Sequence, residues 1–414
     1  MIVIHNIGQL VTLEGAVKKQ GRNIVFQDLG IITDACLVLN GIGRKCKVEW
    51  VGKSSDLPKK YNKAKKINAN KQLVMPGFVD SHTHLVFAGD RSREFEMRLA
   101  GHTYQEIALA GGGIVKTMTA TRLISQADLL KISLKRVDTF LRQGVTTFEI
   151  KTGYGLDFDS EEKCLKIIDK LKKTTPATIV ATFLAAHAVP PEYKGKKTEY
   201  TKLVATKWLP KLKKYCDYLD MFLDEGYFDK EDAEVLLTQA QKYKIRIKLH
   251  ADELKLTGGT QTACKFNALS ADHLLQISQK EIELLSKSEV TATLLPTTAF
   301  FLKAAYAPAR RLLDSGARVA LATDFNPGTS PTQDISLVAV LAALQMHMKT
   351  EEIITALTLN GAYALGLAEK KGALLKGYDA DFIMLESNSV AKVFYEFGQV
   401  QRNLKVFTNG SFYS

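Results

Sequence analysis

The sequence lacks the features that mark several large classes of protein. It has five cysteines among 414 residues, and no two have the spacing of a zinc finger or a redox motif, so free thiols in a reducing cytoplasm are expected. Its longest nearly apolar run, Leu337–Met346, is about half as long as a membrane span. The first 15 residues have no basic start followed by an apolar core. We therefore expect neither a secretory signal, a disulfide scaffold nor a membrane-embedded chain.

Basic residues are in excess, but they form no basic stripe. There are 56 Lys and Arg residues against 44 Asp and Glu residues, which gives a formal net charge of +12. The lysines are scattered or lie in short runs such as Lys59-Lys60 and Lys172-Lys173, without the interleaved aromatic residues of a nucleic-acid-binding surface. We therefore expect no nucleic-acid partner, and a surface field that suits a small anionic substrate.

Short β-like runs occupy both ends of the chain. They are Ile2–His5, Asn23–Phe26, Ala35–Leu39, Cys46–Val51, Asp381–Leu385 and Leu404–Phe407. Asn409-Gly410 follows the last of them as a predicted turn. Neither end can bury a sizeable core alone. We therefore predict a small composite β-sandwich domain built from residues 1–74 and 368–414.

The middle of the chain, residues 75–367, alternates predicted strands with amphipathic helices. The strands are Gly77–Asp80, Thr146–Lys151, Thr178–Ala186, Tyr218–Leu223, Arg246–His250, Leu269–His273, Thr291–Leu295 and Val319–Thr323. Helix Ala127–Gln143 is predicted to stop at Gly144, Ser160 to cap the next helix, and Ser278 to begin a capping box. Eight β/α repeats in about 290 residues predict an α/β fold, a (β/α)₈ TIM-like barrel. A doubly wound open sheet is the alternative, but no G-x-G-x-x-G follows the first strand.

Histidines and one aspartate fall at the C-terminal ends of these strands, where active sites of such barrels lie. His82 and His84 are two residues apart, so their side chains point to the same side of an extended chain. His250, His273 and Asp324 end the fifth, sixth and eighth strands. Imidazoles with one carboxylate suit Zn²⁺ or Fe²⁺, and a divalent ion lowers the pKa of a bound water to about 7. The pattern predicts a metal-dependent hydrolytic site.

Seven segments make the sequence recognisable. They are MPGFVDSHTHLVFAGDR (75–91), EFEMRLAGHTYQEIALAGGGI (94–114), EIKTGYGL (149–156), FLAAHAVP (183–190), HADE (250–253), SADH (270–273) and ATDFNPGTSP (322–331). With them the chain resembles the amidohydrolase superfamily and, within it, the imidazolonepropionase family, over essentially its whole length. The histidines and the aspartate mark only the superfamily, whereas Arg91, Tyr154, His187 and the Asn-Pro-Gly-Thr segment are more specific.

The resemblance implies hydrolysis of the ring amide of 4-imidazolone-5-propanoate to N-formimidoyl-L-glutamate, a step of histidine degradation. It implies one divalent metal ion, Zn²⁺ or Fe²⁺/Fe³⁺, held by His82, His84, His250 and Asp324. In the expected reaction a hydroxide on the metal attacks the ring carbonyl, and Asp324 and His273 accept protons. Glu253 binds the ring nitrogens and protonates the leaving nitrogen. A cytoplasmic homodimer is expected.

The residues expected to contact the substrate follow several strands. They are Arg91, Tyr154, His187, Glu253, Asn326, Gly328 and Thr329. A guanidinium grips a carboxylate with two parallel hydrogen bonds, so Arg91 is expected to bind the propanoate tail. Tyr154 and His187 are expected to bind the same tail or the ring. An ordinary turn is the alternative explanation of Asn326, Gly328 and Thr329.

Two other functions remain open from the sequence. One is that of another mononuclear amidohydrolase, such as a cytosine- or guanine-type deaminase, although Arg91 favours a substrate that carries a carboxylate. The other is a non-catalytic scaffold of the same fold, although the expected metal ligands are all present. A second metal is not expected, because binuclear relatives use a lysine at the end of the fourth strand, whereas here the fourth strand has no lysine and Lys151 lies at the end of the second. The Gly111–Gly113 run lacks the Lys-Ser/Thr of a phosphate loop, and we predict a flexible loop near the mouth of the site.

Overall fold

Two eight-stranded sheets form the framework of the structure, a computed structural model that describes residues 1–102, 106, 111–398 and 404–413. The strands are β1 (Ile2–Val11), β2 (Ile31–Asn40), β3 (Lys47–Lys53), β4 (Lys65–Asn68), β5 (Leu73–Pro76), β6 (Phe78–Asp80), β7 (Val145–Lys151), β8 (Thr178–Ala186), β9 (Tyr218–Leu223), β10 (Arg246–Ala251), β11 (Ser270–His273), β12 (Thr291–Leu294), β13 (Val319–Leu321), β14 (Phe382–Leu385), β15 (Lys405–Thr408) and β16 (Ser411–Tyr413). Strands β1–β5 and β14–β16 form a terminal sheet, and β6–β13 form a barrel.

The terminal sheet joins the two ends of the chain, as predicted. Strand β14 pairs antiparallel with β5, which pairs parallel with β1, so the order is β16-β15-β14-β5-β1-β2-β3, with β4 on β1. The Asn409-Gly410 turn connects β15 to β16. Phe382 and Phe407 stack at 4.7 Å between ring centroids in an apolar cluster on this sheet. The boundaries after residues 74 and 367 stay predictions. Strand β5 runs to Pro76.

One strand predicted near the N-terminus, Asn23–Phe26, is wrong. Asn23 has φ 49°, a left-handed conformation that interrupts an extended run. A 3₁₀ turn at Phe26–Leu29 follows, and the Val25 N–H donates to the Asp28 carboxylate at 2.8 Å. The apolar residues that look like a strand therefore belong to a capped turn.

The barrel strands are all parallel, and each pairs with the next along the chain from β6 to β13. The segments just beyond β6 and β13 meet. The Asp324 N–H donates to the His82 carbonyl at 3.0 Å, and the His84 N–H donates to the Phe325 carbonyl at 2.9 Å. These hydrogen bonds close the barrel at the C-terminal ends of its strands, so the sheet is not the open, doubly wound alternative. They also bring the end of β6 next to the end of β13.

Helices cover the outside of the barrel, and their bounds mostly follow the predicted pattern. Within the described residues, the α-helices are α1 (Glu14–Lys18), α2 (Ser92–Leu99), α3 (Ile114–Leu123), α4 (Gln126–Arg142), α5 (Phe158–Thr174), α6 (Lys197–Leu203), α7 (Leu209–Leu212), α8 (Lys230–Lys242), α9 (Gly259–Lys265), α10 (Gln279–Ser286), α11 (Pro296–Leu302), α12 (Ala309–Asp314), α13 (Ile335–Gln345), α14 (Thr350–Thr355) and α15 (Gly361–Ala364). Gly144 ends α4 with φ 85°, and the Ser278 capping box is present on α10. The predicted cap at Ser160 is wrong, because Asp157 caps α5 and accepts the Ser160 N–H at 2.7 Å.

Among the described residues, no helix has both the length and the apolar character needed to cross a membrane. All five cysteines are free thiols.

Candidate active site

The closed end of the barrel brings two histidines and the aspartate predicted as metal ligands into one group. Asp324 Oδ1 lies 3.4 Å from His82 Nε2 and 3.5 Å from His84 Nε2, and all three side chains are buried. The other oxygen, Asp324 Oδ2, accepts a hydrogen bond of 2.6 Å from Thr298 Oγ1. Asp324 has φ 51°, a strained conformation of the kind that persists where surrounding structure holds a functional residue in place.

Two further histidines, from β10 and β11, complete the cluster. One candidate ligand atom from each of His82, His250 and His273 falls within 4.8 Å of the others. The Nε2 atoms of His82 and His250 are buried and have no hydrogen-bond partner within the part of the chain that the structure describes. A buried imidazole nitrogen without a partner is costly unless it binds something. The histidine and aspartate cluster therefore fits a divalent metal ion.

Carboxylates lie behind two of the imidazoles, and the sequence did not reveal them. Asp272 Oδ2 makes a hydrogen bond of 2.7 Å with His82 Nδ1. Asp220 Oδ2 lies 3.0 Å from His250 Nδ1, close enough to orient the ring, although the angle is not that of a hydrogen bond. Histidines that bind metals commonly present the other ring N–H to such a carboxylate, which leaves Nε2 as the free donor atom. The signal in the sequence was a polar residue inside a buried strand: LDMF on β9 and SADH on β11.

Glu253 lies over the cluster, on the loop that follows β10. It lines a cavity of about 500 Å³ together with His84, His250 and Asp324. Its Oε2 is 3.5 Å from His273 Nδ1. Burial, with the nearby charges of Asp324 and Asp224, holds the pKa of Glu253 well above its usual range. A raised pKa is what a carboxyl group needs to act as a proton donor near neutral pH.

Two aspartates shape the loop that carries Glu253. The backbone N–H groups of Glu253 and Leu254 donate to Asp224 Oδ2 at 2.7 and 2.8 Å. Asp252, next to Glu253, turns the other way and accepts from Thr260 N–H at 2.9 Å. Within the HADE segment, His250 and Glu253 therefore face the cavity, whereas Asp252 holds the start of α9.

Arg91 also lines the cavity. Its side chain is 12% exposed, and its Nε donates to Thr117 Oγ1 at 3.0 Å and lies 4.0 Å from Glu94 Oε1. Glu94 also accepts the Gly113 N–H at 3.0 Å. Among the described residues, no hydrogen bond is made by the two terminal nitrogens of Arg91, so they are available to a ligand. Gly113 lines the cavity, so this end of the predicted mouth loop lies at the site; residues 103–105 and 107–110 lie outside the described residues.

Tyr154 and His187 form an aromatic wall beside the metal cluster. The His187 ring stacks on His84 at 4.9 Å between centroids, and Tyr154 meets His187 edge-on at 5.3 Å. His187 Nδ1 lies 3.0 Å from the Gly153 carbonyl. Because a carbonyl can only accept a hydrogen bond, the ring proton belongs on Nδ1, and Nε2 is free to accept a hydrogen bond from a ligand. Burial lowers the pKa of His187 to about 3, so this ring is neutral. Gly153, with φ 105°, permits the packing, because a Cβ would lie 2.9 Å from His187 Cβ.

The Asn326–Thr329 turn lines the cavity, but most of its polar groups bond within the turn. Asn326 Oδ1 accepts the Gly328 and Thr329 N–H groups at 2.8 Å each, and its Nδ2 donates to the Asp324 carbonyl at 2.7 Å. The turn thereby positions Asp324 and places the Gly328 backbone against Arg91. Direct contacts of Asn326, Gly328 and Thr329 with a substrate stay predictions.

Replacing Gly328 by Ala tests this packing. An added Cβ would lie 2.3 Å from Arg91 Nη1, so the guanidinium must move. We expect kcat/KM to fall about tenfold, the loss of roughly one charged hydrogen bond, mostly through KM. In an Arg91→Met background the same substitution should add little, because the two changes remove one interaction. Losses that multiply in the double variant would show that Gly328 acts elsewhere.

Comparison with known proteins agrees with this geometry. The sequence profile of the amidohydrolase family matches residues 73–411. An imidazolonepropionase from Bdellovibrio bacteriovorus is 45% identical over 414 residues, covering 99% of this chain and 96% of that protein. One from Clostridium tetani is 41% identical over 402 residues, covering 96% and 94%.

Solved structures show the same fold at low identity. A guanine deaminase from C. acetobutylicum with bound guanine has a TM-score of 0.71 at 18% identity, covering 100% of this chain and 99% of that one. An atrazine chlorohydrolase from Arthrobacter aurescens complexed with zinc has a TM-score of 0.71 at 17% identity, covering 100% and 95%. The family profile and the full-length similarity to the imidazolonepropionases of B. bacteriovorus and C. tetani show that the chain belongs to the amidohydrolase family and, within it, to the imidazolonepropionases.

Proposed function

We propose that this enzyme opens the ring of 4-imidazolone-5-propanoate by hydrolysis of its amide bond and yields N-formimidoyl-L-glutamate. One observation carries the proposal beyond family membership. A single cavity holds a histidine and aspartate cluster that fits a metal, a buried carboxyl group and an available guanidinium. These groups match the three parts of the substrate: a carbonyl to be attacked, a ring nitrogen to be protonated and a carboxylate tail.

One divalent ion is assigned to His82, His84, His250 and Asp324. Three neutral imidazoles and a carboxylate suit Zn²⁺ and Fe²⁺ alike. When bound, the ion supplies a water that is acidic enough to act as a nucleophile at neutral pH. The Thr298 hydroxyl donates a hydrogen bond to Asp324 Oδ2, so the other oxygen, Oδ1, faces His82 and His84, which follow β6.

Protons are moved by three side chains of the cavity. Hydrolysis adds OH to the ring carbonyl carbon and a proton to the leaving nitrogen as the C–N bond breaks. Asp324 and His273 accept the proton that the attacking water gives up. Glu253, which is buried and has a raised pKa, binds the ring nitrogens and delivers a proton to the leaving nitrogen.

Arg91 binds the propanoate tail, and the aromatic wall orients the ring. The guanidinium is already fixed by Thr117 through Nε, so its two terminal nitrogens can form the parallel pair of bonds that a carboxylate accepts. Tyr154 and His187 line the same cavity and pack against His84 of the metal cluster. The substrate then spans the cavity, with its tail at Arg91 and its ring at Glu253.

Replacing Arg91 by Met removes this clamp and leaves the metal cluster intact. A hydrogen bond to a charged group contributes about 1.5–3 kcal/mol, so kcat/KM should fall by about one to two powers of ten. Arg93→Met, an exposed neighbour that loses the same charge, is the matched control and should behave like the wild type. An unchanged kcat/KM in Arg91→Met would show that the tail binds elsewhere.

Product analysis tests the proposed function. The purified enzyme is incubated with freshly prepared 4-imidazolone-5-propanoate, and loss of the ring chromophore is followed. We expect N-formimidoyl-L-glutamate to form without release of ammonia. Ammonia release from an amino-substituted ring, with no ring opening of the imidazolone, would instead indicate a deaminase. The homodimer and the cytoplasmic location stay predictions, and sedimentation velocity tests the first.

A further inference from the structure

A buried chain of charged groups connects two of the proposed metal ligands beneath the cavity. The Lys151 ammonium on β7 donates to Asp220 Oδ2 at 2.6 Å and lies 3.4 Å from Asp272 Oδ2. The same two oxygen atoms face His250 Nδ1 at 3.0 Å and His82 Nδ1 at 2.7 Å. One lysine therefore contacts both carboxylates that lie behind these imidazoles, one on β9 and one on β11.

These charged side chains have no access to solvent. The side chains of Lys151, Asp220 and Asp272 are all 0% exposed, as is that of Glu149, whose Oε2 lies 3.0 Å from Lys151 Nζ. Burial alone lowers the pKa of Lys151, but the three carboxylates outweigh it and hold that pKa above the usual range. A buried carboxylate that loses its positively charged partner is no longer held in its position. Its displacement would deprive an imidazole of the carboxylate that orients it.

We propose that Lys151 is a positioning residue for the metal site: it holds the carboxylates of Asp220 and Asp272 in place, and so keeps the His250 and His82 rings turned with Nδ1 toward these carboxylates and Nε2 toward the metal. The proposal rests on the metal site proposed above. It makes Lys151 responsible for two ligands at once, one on β10 and one after β6, although the lysine does not line the cavity.

A second buried lysine provides a matched control. Lys248 is also 0% exposed, and its Nζ donates to Glu149 Oε2 at 2.8 Å and to the Ser81 carbonyl at 2.5 Å. It lies 3.7 Å from Asp272 and does not contact Asp220. Lys248→Met therefore removes an equally buried positive charge from the same cluster, while the link from Asp220 to Asp272 remains.

The experiment compares the wild type, Lys151→Met and Lys248→Met. Zinc affinity is measured by competition with a chromophoric chelator, and the thermal midpoint of each metal-free protein is recorded. Lys151→Met should bind zinc about 10–100-fold more weakly, the usual effect of losing a partner that orients a ligand. Lys248→Met should lose much less affinity for a similar loss of thermal stability. Equal losses in the two variants, or wild-type affinity in Lys151→Met, would overturn the proposal.

A spectroscopic measurement on the unmodified protein applies even if a variant fails to fold. In the zinc-loaded wild type labelled with ¹⁵N-histidine and ¹⁵N-lysine, we expect the His82 and His250 rings to carry the proton on Nδ1. A buried lysine should appear as a slowly exchanging ammonium. A proton on Nε2 of either ring, or a neutral Lys151, would contradict the proposal. If the wild type binds no zinc, the proposed metal site itself is wrong. If the wild type binds zinc but Lys151→Met and Lys248→Met lose the same affinity, only the role of Lys151 is overturned.

Discussion

Glu253→Gln is expected to lower kcat by about 10²-fold or more, because a lost general acid–base costs about 10²–10⁴-fold. Glutamine keeps the shape and part of the hydrogen bonding but has no proton to deliver. Glu253 is three residues beyond His250 and faces the cavity, and its backbone is held by Asp224. The metal content should therefore stay at the wild-type level.

The alternative is that Glu253 relays no proton and only orients the metal ligand His250, three residues before it. In that case Glu253→Gln should lose metal affinity, and excess metal should restore turnover. Bound metal and kcat are therefore measured on the same preparation. Glu225→Gln, the same change at an exposed position of the neighbouring loop, should leave both at the wild-type level. Activity rescued by metal would refute the role of Glu253 as a proton donor.

Asp324→Asn should abolish most turnover even at saturating metal. The substitution removes both a proposed ligand and a proposed proton acceptor, and the second loss alone costs about 10²–10⁴-fold in kcat. Thr298→Val is the matched comparison. It removes the hydroxyl that donates to Asp324 Oδ2 but keeps the carboxylate, so a smaller loss of about 10–100-fold is expected. Wild-type kcat in Asp324→Asn with excess metal would show that Asp324 accepts no proton.

The barrel was predictable because its strands are buried on both faces. Such strands read as continuous apolar runs, and the bounds predicted for Thr178–Ala186 and Tyr218–Leu223 are those of β8 and β9. The sequence-based predictions were wrong where the residue types in a short segment suit more than one local structure. Asn23–Phe26 looks extended, but the left-handed Asn23 and the Asp28 carboxylate turn it into a cap. Asp157 and Ser160 are both good caps, and only the structure shows which one accepts.

The residues of the cavity were recognisable from the sequence because histidine is rare in this chain and falls at strand ends. Their partners were not. Lys151, Asp220 and Asp272 come from three strands far apart in sequence, and their contacts depend on which side chains turn inward at the same height of the barrel. A charged residue within a strand gives no sign of its partner. Glu94, on helix α2, was also missed, because its contacts with Arg91 and Gly113 depend on the folded structure.

A metal titration of the enzyme tests the central claim most directly. The protein is stripped with a chelator, verified to be metal-free, and titrated with Zn²⁺ or Fe²⁺ while ring opening of 4-imidazolone-5-propanoate is followed. Since one metal ion is assigned to His82, His84, His250 and Asp324, the metal-free protein should be inactive. Activity should rise linearly with added metal and stop rising at one equivalent per chain. Full activity in the verified metal-free sample, or a rise that continues to two equivalents, would contradict a single-metal hydrolase.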